Sequence, residues 1–126
     1  MHRRLRNSVA GLAMSAAAAS LLLAAPAPAT AAAAACAYPG WGPYDTGHSY
    51  TVSGKTSPLR YGPYAGCDTK KTLPAGTEVD IDCYYYNPSS GNLWYHVDAF
   101  ASGGWYSGWI YSGNLGLVYE SNQQPC

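Results

Sequence analysis

Three kinds of side chain in this 126-residue chain could do chemistry, and their spacing decides which of them can act together. Glu78, Asp80 and Asp82 alternate with Val79, Ile81 and Cys83. Side chains in a strand point to opposite faces in turn, so the carboxylates fall on one side and the apolar residues on the other. A row of carboxylates could hold a cation through its oxygens, although a solvated strand face is the commoner meaning of the pattern. His48 and His96 stand far apart, with neither C-x-x-C nor H-E-x-x-H spacing near them. That argues against a structural zinc site and against a Cys/His nucleophile. Ser53-Gly54-Lys55-Thr56 ends like a phosphate-binding loop, but Ser49 occupies the place of its first glycine and no helical pattern follows. With no acid pair and no nucleophile, the expectation is a non-enzymatic protein that needs no metal and no cofactor.

The aromatic content is the other chemical signal. Twelve tyrosines and four tryptophans, against one phenylalanine, lie beyond residue 35. Rings with a polar handle can sit half exposed and stack on peptides or sugars. Small β-proteins also use them to fill a thin core and to pair across strands, a role expected for about two-thirds of these rings. If Val79 and Ile81 point inward, strand alternation sends Cys83 and Tyr85 inward and Tyr84 and Tyr86 outward. In the same way an inward Val97 implies an inward Tyr95 and an outward Trp94. Tyr61 and Tyr64 flank Gly62-Pro63 in a loop. The candidate binding surface is therefore Tyr61, Tyr64, Tyr84, Tyr86 and Trp94.

The elements that must position these residues are short. Leu73-Pro74-Ala75-Gly76, Asn87-Pro88-Ser89-Ser90-Gly91-Asn92 and Ser102-Gly103-Gly104 read as turns. Between and after them, Thr77–Cys83, Leu93–Val97 and Trp105–Ile110 read as strands with no helical period. The pattern predicts an all-β domain, a small sandwich or barrel.

Within it, Leu59-Arg60-Tyr61-Gly62-Pro63, Thr72-Leu73-Pro74-Ala75-Gly76-Thr77, Trp94-Tyr95-His96-Val97 and Gly108-Trp109-Ile110 with Leu115 follow in order. Over residues 58–118 this resembles the bacterial Src-homology-3-like (SH3-like, SH3b) domain. The resemblance implies a small SH3-like β-barrel of antiparallel strands and a targeting or peptide-binding role, often toward cell-wall peptidoglycan. Asp68-Thr69-Lys70-Lys71 stands where the family has apolar residues, which implies a short strand or an edge where lysines discourage pairing between chains. Residues 36–57 are then an N-terminal extension, and 119–126 a C-terminal tail. Trp41-Gly42-Pro43-Tyr44 echoes Tyr61-Gly62-Pro63-Tyr64, but in a chain this rich in Gly, Pro and Tyr coincidence is the simpler reading.

Residues 1–35 read as a secretory signal peptide: Arg3, Arg4 and Arg6, an apolar stretch from Val9 to Ala25, and small residues around Ala27-Pro28-Ala29 and Ala33-Ala34-Ala35. The flanks of Arg3-Arg4 do not fit a twin-arginine signal, and Ala33 and the prolines at 26 and 28 do not fit a lipoprotein box before Cys36. The expected mature protein is secreted, with no lasting membrane insertion, and monomeric. It keeps Lys55, Arg60, Lys70 and Lys71 against seven carboxylates, a net charge of −3, which makes nucleic acid an unsuitable partner.

Four cysteines in a short exported chain imply two disulfides with three possible pairings. A hairpin centred on Ala75 would set Cys67 opposite Cys83 with Cβ atoms roughly 4.5–5.5 Å apart. The expected pairs are thus Cys67–Cys83 and Cys36–Cys126. A core of this size supplies only about 3–5 kcal/mol, so the bridges should matter. The functional expectation is a secreted, non-catalytic SH3-like module binding peptidoglycan or peptides. A small secreted protease inhibitor or defence protein, presenting a constrained loop such as 87–92, is the alternative.

Overall fold

The structure, a computed structural model, describes residues 36, 37 and 40–126; the expected signal peptide lies outside the described residues. Six strands follow in order: β1 His48–Tyr50, β2 Ser57–Arg60, β3 Thr69–Leu73, β4 Glu78–Tyr86, β5 Leu93–Ala101 and β6 Gly104–Tyr111, then a 3₁₀ turn over Ser112–Asn114. All pair antiparallel in one sheet of order β1-β4-β5-β6-β2-β3. The all-β class read from the strand pattern is what the chain adopts, but the sheet is open and does not close into the expected barrel.

The β4-β5-β6 meander forms the centre because its turns are local. Ser102 and Gly103 both have positive φ, 51° and 77°, and Ala101 pairs with Gly104. This is the two-residue turn whose twist matches that of the flanking strands, and it fixes the register of the whole β5–β6 pair. The β2–β3 hairpin attaches to β6 through Arg60 opposite Trp109. Close approach there depends on Gly108, where a Cβ would sit 2.8 Å from the Arg60 carbonyl oxygen and 3.0 Å from Leu59 Cγ. The lysine-bearing β3 is one edge of the sheet, and β1 the other.

The turn from Leu73 to Glu78 does not make a hairpin. Strand β3 pairs with β2, and β4 pairs with β1 and β5. The turn is held instead by Thr51, whose N–H donates to the Thr77 carbonyl at 2.9 Å and whose hydroxyl donates to the Pro74 carbonyl at 2.6 Å. Without a β3–β4 pairing, Cys67 is never set opposite Cys83. The observed bridges are Cys36–Cys67, with Cα atoms 5.6 Å apart, and Cys83–Cys126, with Cα atoms 5.0 Å apart. This corrects the expected pairing while leaving every cysteine of the chain bonded.

One face of the sheet packs Leu59, Leu73, Val79, Ile81, Val97, Ala99, Ala101, Ile110 and Leu115 into the core, with Tyr95, Tyr106 and Val118 at its margin. A bulge between Ile81 and Cys83 then breaks the alternation of β4. An extra residue in one strand reverses the facing of everything beyond it. Cys83 and Tyr85 therefore stand opposite His96 and Trp94, on the outer face, while Tyr84 and Tyr86 stand opposite Tyr95 and Leu93. The strict alternation expected from Val79 through Tyr86 is corrected at this point, and Asp82 is buried instead of joining the row of Glu78 and Asp80.

Both segments flanking residues 58–118 are tied to the sheet by backbone hydrogen bonds. Residues 36–57 supply β1, and the Tyr44 and Asp45 N–H groups donate to the Asp82 carbonyl at 2.9 and 2.6 Å. The tail runs beside the end of β4, with Tyr84 N–H donating to the Gln124 carbonyl and Cys126 N–H to the Tyr84 carbonyl, both at 3.0 Å.

Candidate functional site

The five tyrosines and tryptophans singled out from the sequence do not converge. Tyr61 and Tyr64 are exposed in the β2–β3 loop, where the Cys36–Cys67 bridge and the Cys67 N–H donating to the Tyr64 carbonyl fix the backbone. The Lys70 ammonium lies 4.8 Å from the Tyr61 ring centroid, a cation–π contact. Trp94 stands on the outer face opposite Tyr85, as alternation from Val97 implies, but is only 2% exposed, which corrects its expected place on an open binding surface. Tyr111 is tilted against it at 5.8 Å, and the Trp94 indole N–H has no hydrogen-bond partner among the described residues.

Tyr84 and Tyr86 do come together, edge to face with centroids 5.9 Å apart. They line a cleft of about 330 Å³ with Leu93, Tyr95, Val118, Glu120, Ser121 and Gln123. The strands supply the rings and the C-terminal tail supplies the opposite rim. Burial first, then the neighbouring Tyr86 and Asp45, raise the Tyr95 phenol above its ordinary value, so it remains a neutral donor and acceptor at neutral pH.

The rim is shaped by Asp45. Its carboxylate accepts from Gly47 N–H and Ser121 Oγ at 2.7 Å each, and from Asn122 and Gln124 N–H at 3.3 Å each. Burial alone would raise this group, but the four donors together outweigh it and hold its pKa below the usual aspartate value. Glu120 and Gln123, both rim residues, carry positive φ of 54° and 53°. Left-handed backbone at residues other than glycine costs about 1–3 kcal/mol each and persists where surrounding bonds enforce it. Sequence reasoning missed the rim because nothing local in residues 117–123 marks it as part of a site.

The outer face holds a second constellation that sequence distance concealed. His96 Nδ1 donates to Asp82 Oδ2 at 2.7 Å, and both side chains are buried. Trp41 stacks on the imidazole at 3.8 Å with an interplanar angle of 13°, and Trp109 meets it edge-on at 5.1 Å. The pair sits beneath a cover made by residues 41–45, and among the described residues no serine, cysteine or threonine joins it by a hydrogen bond. Among the described residues, no group of three His, Cys, Asp or Glu is arranged to hold a metal ion.

The constrained loop 87–92 is a closed turn, not an extended strand. Gly91 N–H donates to the Asn87 carbonyl at 2.7 Å, the Asn87 side-chain oxygen accepts from Ser89 N–H at 2.8 Å, and its amide donates to the Pro63 carbonyl at 2.8 Å. Among the described residues no helix is long and apolar enough to cross a membrane. The two disulfides suit an oxidising compartment. Comparison with known proteins finds no matching family model, no matching curated protein and no matching solved structure.

Proposed function

We propose that this protein is an exported, non-catalytic binding module of SH3-like character, and that the cleft walled by Tyr84, Tyr86 and Tyr95 receives an extended wall peptide or glycan segment. The observation that carries the reading is the cleft itself: three tyrosines present their rings with Leu93 and Val118, and polar tail residues ring the opening. Rings of this kind recognise by stacking and shape while their hydroxyls fix orientation. Among the lining residues Glu120 is the single carboxylate, and there is no histidine, so the chemistry on offer is contact and not bond making. The two disulfides are consistent with the leader-like sequence of residues 1–35 and with a secreted location.

The test is a titration of the disulfide-bonded protein with soluble peptidoglycan fragments, followed by isothermal calorimetry. Tyr86→Ala removes a ring that is 60% exposed, and should weaken binding by about 1–3 kcal/mol with the melting temperature nearly unchanged. Binding should vary little between low and moderate salt, because stacking is not screened. Wall fragments that bind Tyr86→Ala and Tyr84→Ala as well as the parent would place recognition elsewhere.

A further inference from the structure

The exposed end of the outer face carries two cross-strand rows whose chemistry differs from that of the tyrosine cleft. In the first, Tyr50 of β1 faces Glu78 of β4, and Phe100 of β5 faces Trp105 of β6. In the second, His48 faces Asp80, Asp80 faces Asp98, and Asp98 faces Ser107. Glu78, Asp80, Phe100 and Trp105 together line an open recess of about 390 Å³. Phe100 is the chain's single phenylalanine and is 55% exposed, while Trp105, at 68%, is the most exposed aromatic ring among the described residues. The two pack edge to face at 5.4 Å, which leaves ring surface turned to the recess and to solvent.

Asp80 and Asp98 stand directly opposite each other on one face, an arrangement that is destabilising unless something positive compensates it. Among the described residues no basic nitrogen is paired with either carboxylate, although His48 faces Asp80 across the strand pair. Lys55 donates to the Gly113 carbonyl, Arg60 to the Cys67 carbonyl and Thr69, and Lys71 lies over the Tyr106 ring. Lys70, which reaches the end of the second row, spends its ammonium on the Ser107 carbonyl and the Tyr61 ring. The one contact between an acidic side chain and a basic one among the described residues is that of Asp82 with His96, outside both rows. His48 stacks its ring on Tyr119 at 5.4 Å.

We propose that this recess binds the primary ammonium group of a lysine side chain presented by a basic peptide segment. Trp105 and Phe100 offer ring faces and edges to the alkyl stem and the cation, and Glu78 and Asp80 supply the countercharge. Charge complementarity selects this occupant over a second copy of the chain, since each copy carries −3 over residues 36–126 and its own lysines are engaged. It also selects it over a neutral glycan, which would leave the opposed carboxylates uncompensated. The proposal stands on the opposite side of the sheet from the tyrosine cleft and does not rest on it.

Hexalysine is the probe, followed by two-dimensional NMR on the disulfide-bonded protein, with hexaglutamate as control. Saturable shifts should appear at Glu78, Asp80, Phe100 and Trp105, with none for hexaglutamate. Affinity should fall about tenfold or more on raising the salt from about 0.02 to 0.2 M. Trp105→Ala, and separately the pair Glu78→Gln with Asp80→Asn, should each weaken binding about tenfold, while Tyr86→Ala leaves it unchanged. Binding that loses affinity with the carboxylates but not with Trp105 would mean diffuse attraction and overturn the proposal. So would shifts confined to the tyrosine cleft, or sedimentation showing a dimer that buries Trp105.

Discussion

Trp94, His96 and Trp109 at one end of the outer sheet face, and Phe100 and Trp105 at the other, arise from the same two strands and the same kinds of side chain, yet the first group is buried and the second is open. The difference lies in what crosses above them. At the first end the Cys36–Cys67 bridge, the Trp41 ring and the Tyr44 and Asp45 N–H groups bring the N-terminal segment down onto β4 and β5. There the carboxylate of Asp82 has lost water and takes a histidine in its place. At the second end no described segment lies across the strands, and Glu78 and Asp80 remain exposed to solvent. The charge of Glu78 first, then desolvation and the hydrogen bond between Tyr50 and Glu78, raise the Tyr50 phenol above its ordinary value. A sheet face thus becomes core or surface according to its cover, and the polar groups beneath the cover must be paired inside the protein.

The sharpest way to break this contrast is His96→Ala. It leaves the buried Asp82 carboxylate without its partner, and denaturant unfolding should show a loss of about 3–5 kcal/mol. A loss below about 1 kcal/mol would mean that water already reaches the pair. Next comes the cover itself. Replacing both Cys36 and Cys67 by serine frees a bridge of sequence separation 31, for which loop-closure entropy gives about 3–4 kcal/mol. The tryptophan emission of Trp41 and Trp109 should shift to the red as the segment lifts, and unchanged emission would show that hydrogen bonds alone hold the cover.

The Asp45 clasp gives a pH test. Its folded-state pKa is depressed, so the stability it contributes is fully present above the ordinary aspartate value of 3.8 and is lost as pH falls through the lower, folded value. Hydrogen exchange at the Asn122 and Gln124 amides should therefore quicken in that acid window, and Asp45→Asn should abolish the pH dependence while loosening the tail at neutral pH. Faster exchange beginning well above pH 3.8 would assign the transition to other groups. The smallest effect is expected at the open end: Trp105→Ala or Phe100→Ala should change stability by no more than about 0.5 kcal/mol. A loss as large as that of His96→Ala would make those rings core and erase the contrast between the two ends.

Much of the fold could be read along the chain because its determinants are local. The apolar alternation of Val79 and Ile81, the Ser102-Gly103 turn and the lysines of the edge strand each act within a few residues. Half of the candidate cleft was legible in the same way, since Tyr84 and Tyr86 lie two apart on one strand; its other rim comes from residues 118–123, which no local pattern links to β4. The bulge at Asp82 was not legible, because an extra strand residue is absorbed only when β5 is in place to pair around it. From that single displacement follow the outer-face position of Cys83, its bond to Cys126 and the placing of Tyr84 and Tyr86 beside Tyr95. The sequence by itself determined the identity of the central strands β4, β5 and β6, the turns, the charge balance and the fact that cysteines would pair, since each rests on residue chemistry and short-range geometry. Only the tertiary structure decided which cysteines meet, that His96 reaches Asp82, that Trp94 is covered and that Trp105 is not, because each of these depends on which distant segment is laid over a given face of the sheet.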